Sequence, residues 1–365
     1  MDPGPNQGRR LTMRYAGIDV QKGQSHFYIQ DDLGKKIEGG LADTDPQAFS
    51  DLVSRHRGDE GISVVMETGN LSFILARAMK EAGAEVFIVD PYQNALIARS
   101  RKKTDRLDAR QLSEQGRLGI LPPHSVYVPS DKAEDLRRLV SARARLVKER
   151  TALSNRAIRV ADRNQHPVKR SSLSWGAAWR LLEAASANWS EVDRLLIRQY
   201  ARDAARLREQ IKELEEMIER LLERDFGREC RLLMTIPGIG PITAAALIAQ
   251  VEDVKRFGSA RQLCGYLGLA PSVRRSGKMV MDGRITKKGN GRLRGYLTQA
   301  ALHCLRSMGP RDPLRLWYES VRKRRGWKKA RVALARKLAS IAYGVLVHGR
   351  AYDPAYALPP SMKAA

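Results

Sequence analysis

Tyr15-Ala16-Gly17-Ile18-Asp19-Val20 is an apolar run with one carboxylate near its end. A run this short, followed by the polar turn Gln21–Gln24, reads as a buried strand. Ser25–Gln30 is its hairpin partner, and Asp31-Asp32-Leu33-Gly34 turns the chain into a third strand near Lys36–Leu41. Working outward, Pro46–Arg55 has helical spacing, and Ile62–Glu67 is a second apolar strand that ends on a carboxylate. Ser72–Ala82 is then a helix, Glu85–Asp90 a strand, and Pro91–Arg99 a helix with Pro at its first position. Strands as a meander, then alternating with helices, predict a mixed sheet flanked by helices.

The remainder reads as helical. Leu139, Leu146, Leu153 and Val160 lie seven apart, and Leu207, Ile211, Leu214, Ile218 and Leu221 follow the alternation of a coiled-coil seam. Glu-rich positions in 209–223 alternate with Lys and Arg, as on a solvated helix face. Gln165–Ser174, with its Pro, basic and Ser residues, is a loop between the two helices. A helical hairpin and a seam between two chains both fit this pattern. Ile236-Pro237-Gly238-Ile239-Gly240-Pro241, ahead of Thr243–Val251, has the form of a helix-hairpin-helix turn. The backbone N–H groups of Gly238 and Gly240 would face a phosphate there. Ala260–Leu267 is a helix ended by Leu269-Ala270-Pro271, the Arg-, Lys- and Gly-rich segment 272–292 is a loop, and Arg292–Leu305 and Lys328–Val347 are amphipathic helices.

Charge separates these regions. The 365 residues carry a net +25, but residues 1–100 hold 11 basic and 14 acidic side chains, hence −3, whereas 101–365 carry +28. The densest stretch, 255–350, has 24 basic and 3 acidic residues. Such a surface calls for a polyanion, because neutralised phosphates release condensed counterions. Cys230, Cys264 and Cys304 are odd in number, far apart and without metal-ligand spacing, so they read as reduced, mostly buried thiols. No signal peptide is visible, and the apolar stretch Leu338–Val347 is too short to span a bilayer. A cytoplasmic protein follows, with Met13 a candidate start and 1–12 a disordered extension.

Asp19 and Glu67 end apolar strands, an unusual place for a carboxylate without a task. Asp105 and Asp108 are spaced i, i+3 and face one way on a helix capped by Thr104. Four carboxylates at one point would repel, and divalent cations are their sensible counter-charge. Two such ions about 4 Å apart can hold both the attacking and the leaving oxygen of a phosphodiester displacement.

The order of strand Asp, strand-end Glu and helical Asp resembles the ribonuclease-H-like fold of the RuvC type. Gly17-Ile18-Asp19-Val20, Glu67-Thr68-Gly69 and Lys103-Thr104-Asp105-Arg106-Leu107-Asp108-Ala109 together resemble the DEDD insertion-sequence transposases, the bridge-RNA-guided recombinases. Pro237-Gly238-Ile239-Gly240, Leu267-Gly268-Leu269-Ala270-Pro271 and Arg284-Ile285-Thr286-Lys287-Lys288-Gly289-Asn290 resemble that family's second domain, in the family's own order.

The resemblance implies a nucleophilic serine after the Leu-Gly-Leu-type motif. Ser276, ahead of Gly277, aligns best, with Ser272 as its rival; family members often have paired serines and a Gly-Gly where this chain has Arg275-Ser276-Gly277-Lys278. Serine needs activation, and no His lies nearby in sequence, since His124 is in a Pro-rich linker and His303 and His348 are on helices. Metal coordination would lower the hydroxyl pKa, with Arg274, Arg275 and Lys278 stabilising the phosphorane charge. Arg284, Lys287 and Lys288 would add contacts to nucleic acid.

The expected architecture is a RuvC-like catalytic domain over 13–125, a helical coiled-coil connector over 126–228, a basic, mostly α transposase domain over 229–350 and a tail over 351–365. The resemblance further implies RNA-guided cleavage and rejoining of donor and target DNA in a prokaryotic, nucleoid-associated setting. It implies a phosphoserine intermediate, two Mg2+ ions (or Mn2+ in their place), a structured guide RNA, a dimer or tetramer, and no membrane. The competing readings are a hydrolytic, Holliday-junction-type endonuclease of RuvC kind and a nucleic-acid-binding protein without activity.

Overall fold

The computed structural model describes residues 12–91, 105–120, 125–174, 176–276, 279–287 and 289–354; the side chains of 105–106, 174, 273–276 and 279–284 also lie outside the description. The expected extension before Thr12, the helix over 91–99, the Thr104 cap and the end of the tail fall outside the described residues. The chain divides into two compact units, Met1–Ser130 and Asp131–Ala365.

The first unit is built on a sheet of five strands: β1 (Met13–Asp19), β2 (Gln24–Gln30), β3 (Lys36–Asp43), β4 (Gly61–Glu67) and β5 (Glu85–Val89), in the order β3-β2-β1-β4-β5. The first three form the antiparallel meander; β4 and β5 add in parallel, which makes the sheet mixed. Two helices, α1 (Pro46–His56) and α2 (Ser72–Glu81), supply the crossovers. Asp45 caps α1 by accepting from the backbone N–H of Gln47 and Ala48, with Pro46 at the first helical position. Asp31 Oδ1 accepts from the N–H of Leu33 and Lys35, which fixes the β2–β3 turn.

The central strands are apolar through their middle residues because both faces are covered. On one face Ala16, Ile18, Ile62, Val64 and Met66 pack with Phe49, Leu52, Leu75 and Met79 of α1 and α2. On the other, Val65 and Val89 meet Leu112 of α3 (Asp105–Arg117). Helix α3 comes close because Gly17 has no side chain: a Cβ there would lie 2.0 Å from Ala109 O and 2.4 Å from Ser113 N. Ser113 Oγ donates to Tyr15 O at 2.9 Å. Farther along, Gln30 Nε2 donates to Glu114 Oε2, and Arg117 donates to Glu114 and to Asp32 O. The Arg117 bond, then that of Gln30, holds the Glu114 carboxyl below the usual range.

The second unit is helical. Helix α4 (Asp131–Arg163) and α6 (Glu191–Met234) pair within the chain. They run antiparallel, since Leu136 and Val140 share a core with Ile218 and Leu222, while Leu153, Ala157 and Ala161 share one with Ile197, Ala201 and Ala204. The buried positions drift off the strict seven-residue seam, and Leu146 is only half-buried. Arg143 donates through Nε and Nη2 to Glu215 Oε1 across the pair. A helix that the sequence reading did not single out, α5 (Gly176–Ala185), closes the far end; its buried Trp179 donates to Leu173 O.

Toward the other end, α7 (Pro241–Val251) is buried nearly all round, as expected of a helix with no polar face. Around it stand α8 (Ala260–Tyr266), α9 (Gly291–Ser307), α10 (Pro313–Arg325) and α11 (Trp327–His348). Residues 271–285, expected to be a loop, are instead a hairpin of β6 (Pro271–Ser276) and β7 (Met279–Ile285). Val273, Val280 and Met281 supply β-propensity that the surrounding Arg, Lys and Gly conceal. Among the described residues no helix is long and apolar enough to cross a membrane.

Gly17→Ala should therefore cost about 2 kcal/mol or more by forcing α3 off the sheet. Gly40→Ala, whose Cβ would meet only the Phe27 ring at 3.7 Å, should be nearly silent. Urea denaturation of the full chain checks this; equal midpoints for the two variants would contradict the packing account.

Candidate active site

The strand register sets the acidic edge of the first unit. Ile18 pairs with Met66 in the parallel β1–β4 ladder, so Asp19 and Glu67 stand side by side at the carboxyl ends of neighbouring strands. Side chains alternate along a strand. Ala16 and Ile18 face α1 and α2, so Gly17 and Asp19 face α3; Val65 faces α3 and so does Glu67. Helix α3 runs opposite to β1, because Ser113 lies at Tyr15 and Ala109 at Gly17. One further turn toward its amino end carries Asp108 and Asp105 to the level of Asp19.

The backbone thus gathers all four positions at one edge. Asp19 accepts from Gln21 Nε2 at 3.2 Å, and Asp108 is half-buried. The Asp105 side chain lies outside the described residues. Among the described residues, no three acidic, His or Cys side chains are drawn together as a metal-ligating group. The donors present are hard carboxylate oxygens, the chemistry that Mg2+ and Mn2+ require. Gly17, quoted above only as part of Gly17-Ile18-Asp19-Val20, contributes no chemistry and is a positioning residue. Its signal was a glycine inside an apolar strand.

The basic hairpin belongs to the second unit. Ser276 pairs with Met279 at the distal end of the β6–β7 ribbon, whereas Ser272 lies near its base, where Pro271 pairs with Ile285. The side chains of Arg274, Arg275, Ser276 and Arg284, and residues Lys278 and Lys288 altogether, lie outside the described residues.

The base is firmly tied. Thr286 N donates to Ala270 O, and Lys287 N to Gly268 O. Gly289, at φ +92°, leaves room for Tyr266 O, which a Cβ would approach to 2.2 Å. Asn290 caps α9 and donates to Gln250 Oε1. Arg294 Nη1 donates to Leu267 O and Gly289 O. The two motifs read from sequence at 267–271 and 284–290 are therefore the two ends of one clamp that holds the ribbon.

Gly238 and Gly240 divide in role. Gly238 has φ +83°, and a Cβ there would sit 2.2 Å from Ala300 O and 2.6 Å from Cys304 N of α9. Its requirement is set by packing. Gly240 caps α7 with open space where a Cβ would be. The three cysteines are free and buried, as the sequence implied. Burial, with Asp312 nearby, pushes the Cys304 thiol up to about 12, and burial also raises Cys230. Neither is a thiolate at neutral pH.

Comparison with known proteins bears on both units. The profile of the DEDD-type IS110 transposase domain matches residues 16–164, and that described as the IS116/IS110/IS902 transposase family matches 230–315. The transposase for insertion sequence element IS1111A of Coxiella burnetii is 29% identical over 94% of this chain and 93% of its own. The y4pF/y4sB protein of Sinorhizobium fredii, also named for a transposase, is 31% identical over 80% of this chain and 74% of its own. The transposase for element IS1328 of Yersinia enterocolitica is 28% identical over 92% of this chain and 98% of its own.

The two glycines offer a clean contrast. Gly238→Ala should lower the thermal midpoint by several degrees, through both the positive φ and the encroachment on α9, while Gly240→Ala should leave it within about a degree. Calorimetry of both variants checks it, and an unchanged midpoint for Gly238→Ala would remove the packing role.

Proposed function

This chain belongs to the IS116/IS110/IS902 family of transposases, and we propose that it moves an insertion sequence by cleaving and rejoining DNA through a covalent phosphoserine. The observation that carries the reading is the shared edge of Asp19 and Glu67 facing the amino end of α3. As a transposase the chain is an enzyme acting on DNA.

Asp19, Glu67, Asp105 and Asp108 would hold divalent cations, two Mg2+ in our assignment, which would supply charge neutralisation at the phosphodiester and a lowered pKa for the attacking hydroxyl. The remaining steps belong to the protein. Ser276 Oγ forms a bond to phosphorus, the bond from phosphorus to one deoxyribose oxygen breaks, and that oxygen leaves as a free hydroxyl once protonated. Attack on the phosphoserine by the hydroxyl of another strand restores the serine and rejoins DNA with no loss of phosphodiester energy. Arg274, Arg275 and Lys278, flanking Ser276 in sequence, neutralise the equatorial oxygens. Its place at the ribbon's distal end favours Ser276 over Ser272.

Sequence choice is delegated to a structured guide RNA that pairs with donor and target, while the +28 carried by 101–365 holds nucleic-acid backbones. We assign 13–125 to catalysis, 126–228 to a coiled-coil connector that joins copies in a dimer or tetramer, and 229–350 to the nucleophile and nucleic acid.

Given divalent metal, guide RNA and cognate DNA, the chain should form a denaturation-resistant DNA adduct. Ser276→Ala and Asp19→Asn should each lose the adduct and strand joining, whereas Ser272→Ala should keep both. Mass spectrometry of the nucleotide-bearing peptide decides: nucleotide on Ser272, or cleaved ends without any adduct, overturns the serine assignment, and the latter favours a hydrolytic nuclease. Binding of DNA or RNA should also weaken with salt at a log–log slope of several units, and a flat salt dependence would refute the electrostatic account.

A further inference from the structure

The junction of α10 and α11 carries Arg322-Lys323-Arg324-Arg325-Gly326-Trp327-Lys328-Lys329-Ala330-Arg331, seven cations with no acid, in a stretch where none occurs between Glu319 and Asp353. Residues 322–329 are exposed without a break. In their midst Trp327 is 54% exposed, a large aromatic surface in water. Lys328 Nζ lies 5.6 Å and Arg331 Cζ 5.4 Å from its ring centroid.

We propose that this corner binds a single-stranded nucleotide segment, with a base stacked on Trp327 and the flanking phosphates on Lys328, Lys329 and Arg325.

Solvation of helix ends explains only part of the arrangement. Arg322 through Arg325 close α10, where cations suit the carbonyl end of the helix dipole, and Arg322 pairs with Glu319 at 2.6 Å. Lys328 and Lys329 stand in the first turn of α11, the positive end, with no acidic residue beside them and no side-chain cap. That placement opposes the dipole. A bound anion would offset it, since the first N–H groups of α11 and both ammonium groups would converge on the same phosphate. Arg331 Nε is buried without a hydrogen-bond partner, so the guanidinium lies by the ring with a donor unused.

An exposed indole ringed by cations fits nucleic acid whose bases are unpaired. A duplex keeps its base faces stacked inside and offers this corner only phosphates. The inference concerns binding alone and does not depend on the phosphoserine chemistry.

Fluorescence of the full chain titrated with oligouridylate, oligothymidylate and a mixed-sequence DNA duplex tests it. The single strands should quench the indole emission, and Trp327→Phe should remove most of that quenching while keeping most of the affinity. Trp327→Ala should weaken single-strand binding roughly fivefold to hundredfold and leave duplex affinity and its salt slope unchanged. Lys328→Gln with Lys329→Gln should weaken single strand and duplex together and lower both slopes. The larger loss with uridylate or with thymidylate identifies RNA or DNA as the source. Quenching that survives Trp327→Phe, or Trp327→Ala affinities that fall equally for single strand and duplex or not at all, would overturn the proposal.

Discussion

The close approach of α3 to a bare patch of β1 governs the geometry of the acidic edge. At Gly17 the helix backbone fills the space that any side chain would occupy, so α3 sits lower on the sheet than ordinary helix–sheet packing allows. That contact fixes the height of the helix, and the Ser113 bond to Tyr15 fixes its position along the strand. With height and position set, the level of Asp108 relative to Asp19 follows from helix rise alone. The bonds from Gln30 and Arg117 to Glu114 lock the far end, so the helix cannot slide without breaking a charged cluster.

A comparable economy organises the helical unit. Helix α7 has alanine at four of its eleven positions and no charge, which lets α4, α6 and α9 close on it. Small residues in the middle bring long helices together, and charges are left to the outside by default. The cationic character of the chain is thus compatible with a tight core: most arginines and lysines stand outside it, and the half-buried Arg143, Arg294 and Arg315 spend their donors on Glu215 and on backbone carbonyls. Gly238 extends the principle to the turn before α7, where only a hydrogen atom fits between the turn and α9.

The sheet was legible from sequence because its strands are short apolar runs between polar turns, and because two of them end on carboxylates. A mixed sheet flanked by helices follows from that pattern. The β6–β7 hairpin was not legible: four of its strand residues are charged, so composition says loop while the backbone pairs through Val273, Val280 and Met281. The helical seam was half legible. Leu153 and Ile218 are buried as the repeat requires, but long straight helices drift against a seven-residue period, and Leu136 and Val140 take places that the repeat assigned to Leu139. At the acidic edge, residue types and strand ends could be read directly. The register that puts Asp19 beside Glu67 could not, because nothing in either strand alone specifies its offset against the other.

Charge distribution connects the two chemistries. A carboxylate cluster and a phosphodiester repel one another, so an acidic site in a near-neutral unit cannot attract DNA unaided. The +28 of residues 101–365 supplies the attraction, and part of it, Arg101, Lys102, Lys103, Arg106 and Arg110, flanks Asp105 and Asp108 in sequence. Only 11 of the 65 basic residues fall within residues 1–100, which hold Asp19 and Glu67. Affinity for the polymer and activation of one phosphate are opposite electrostatic demands, and the largest excess of cations, in 255–350, lies beyond all four carboxylates in sequence.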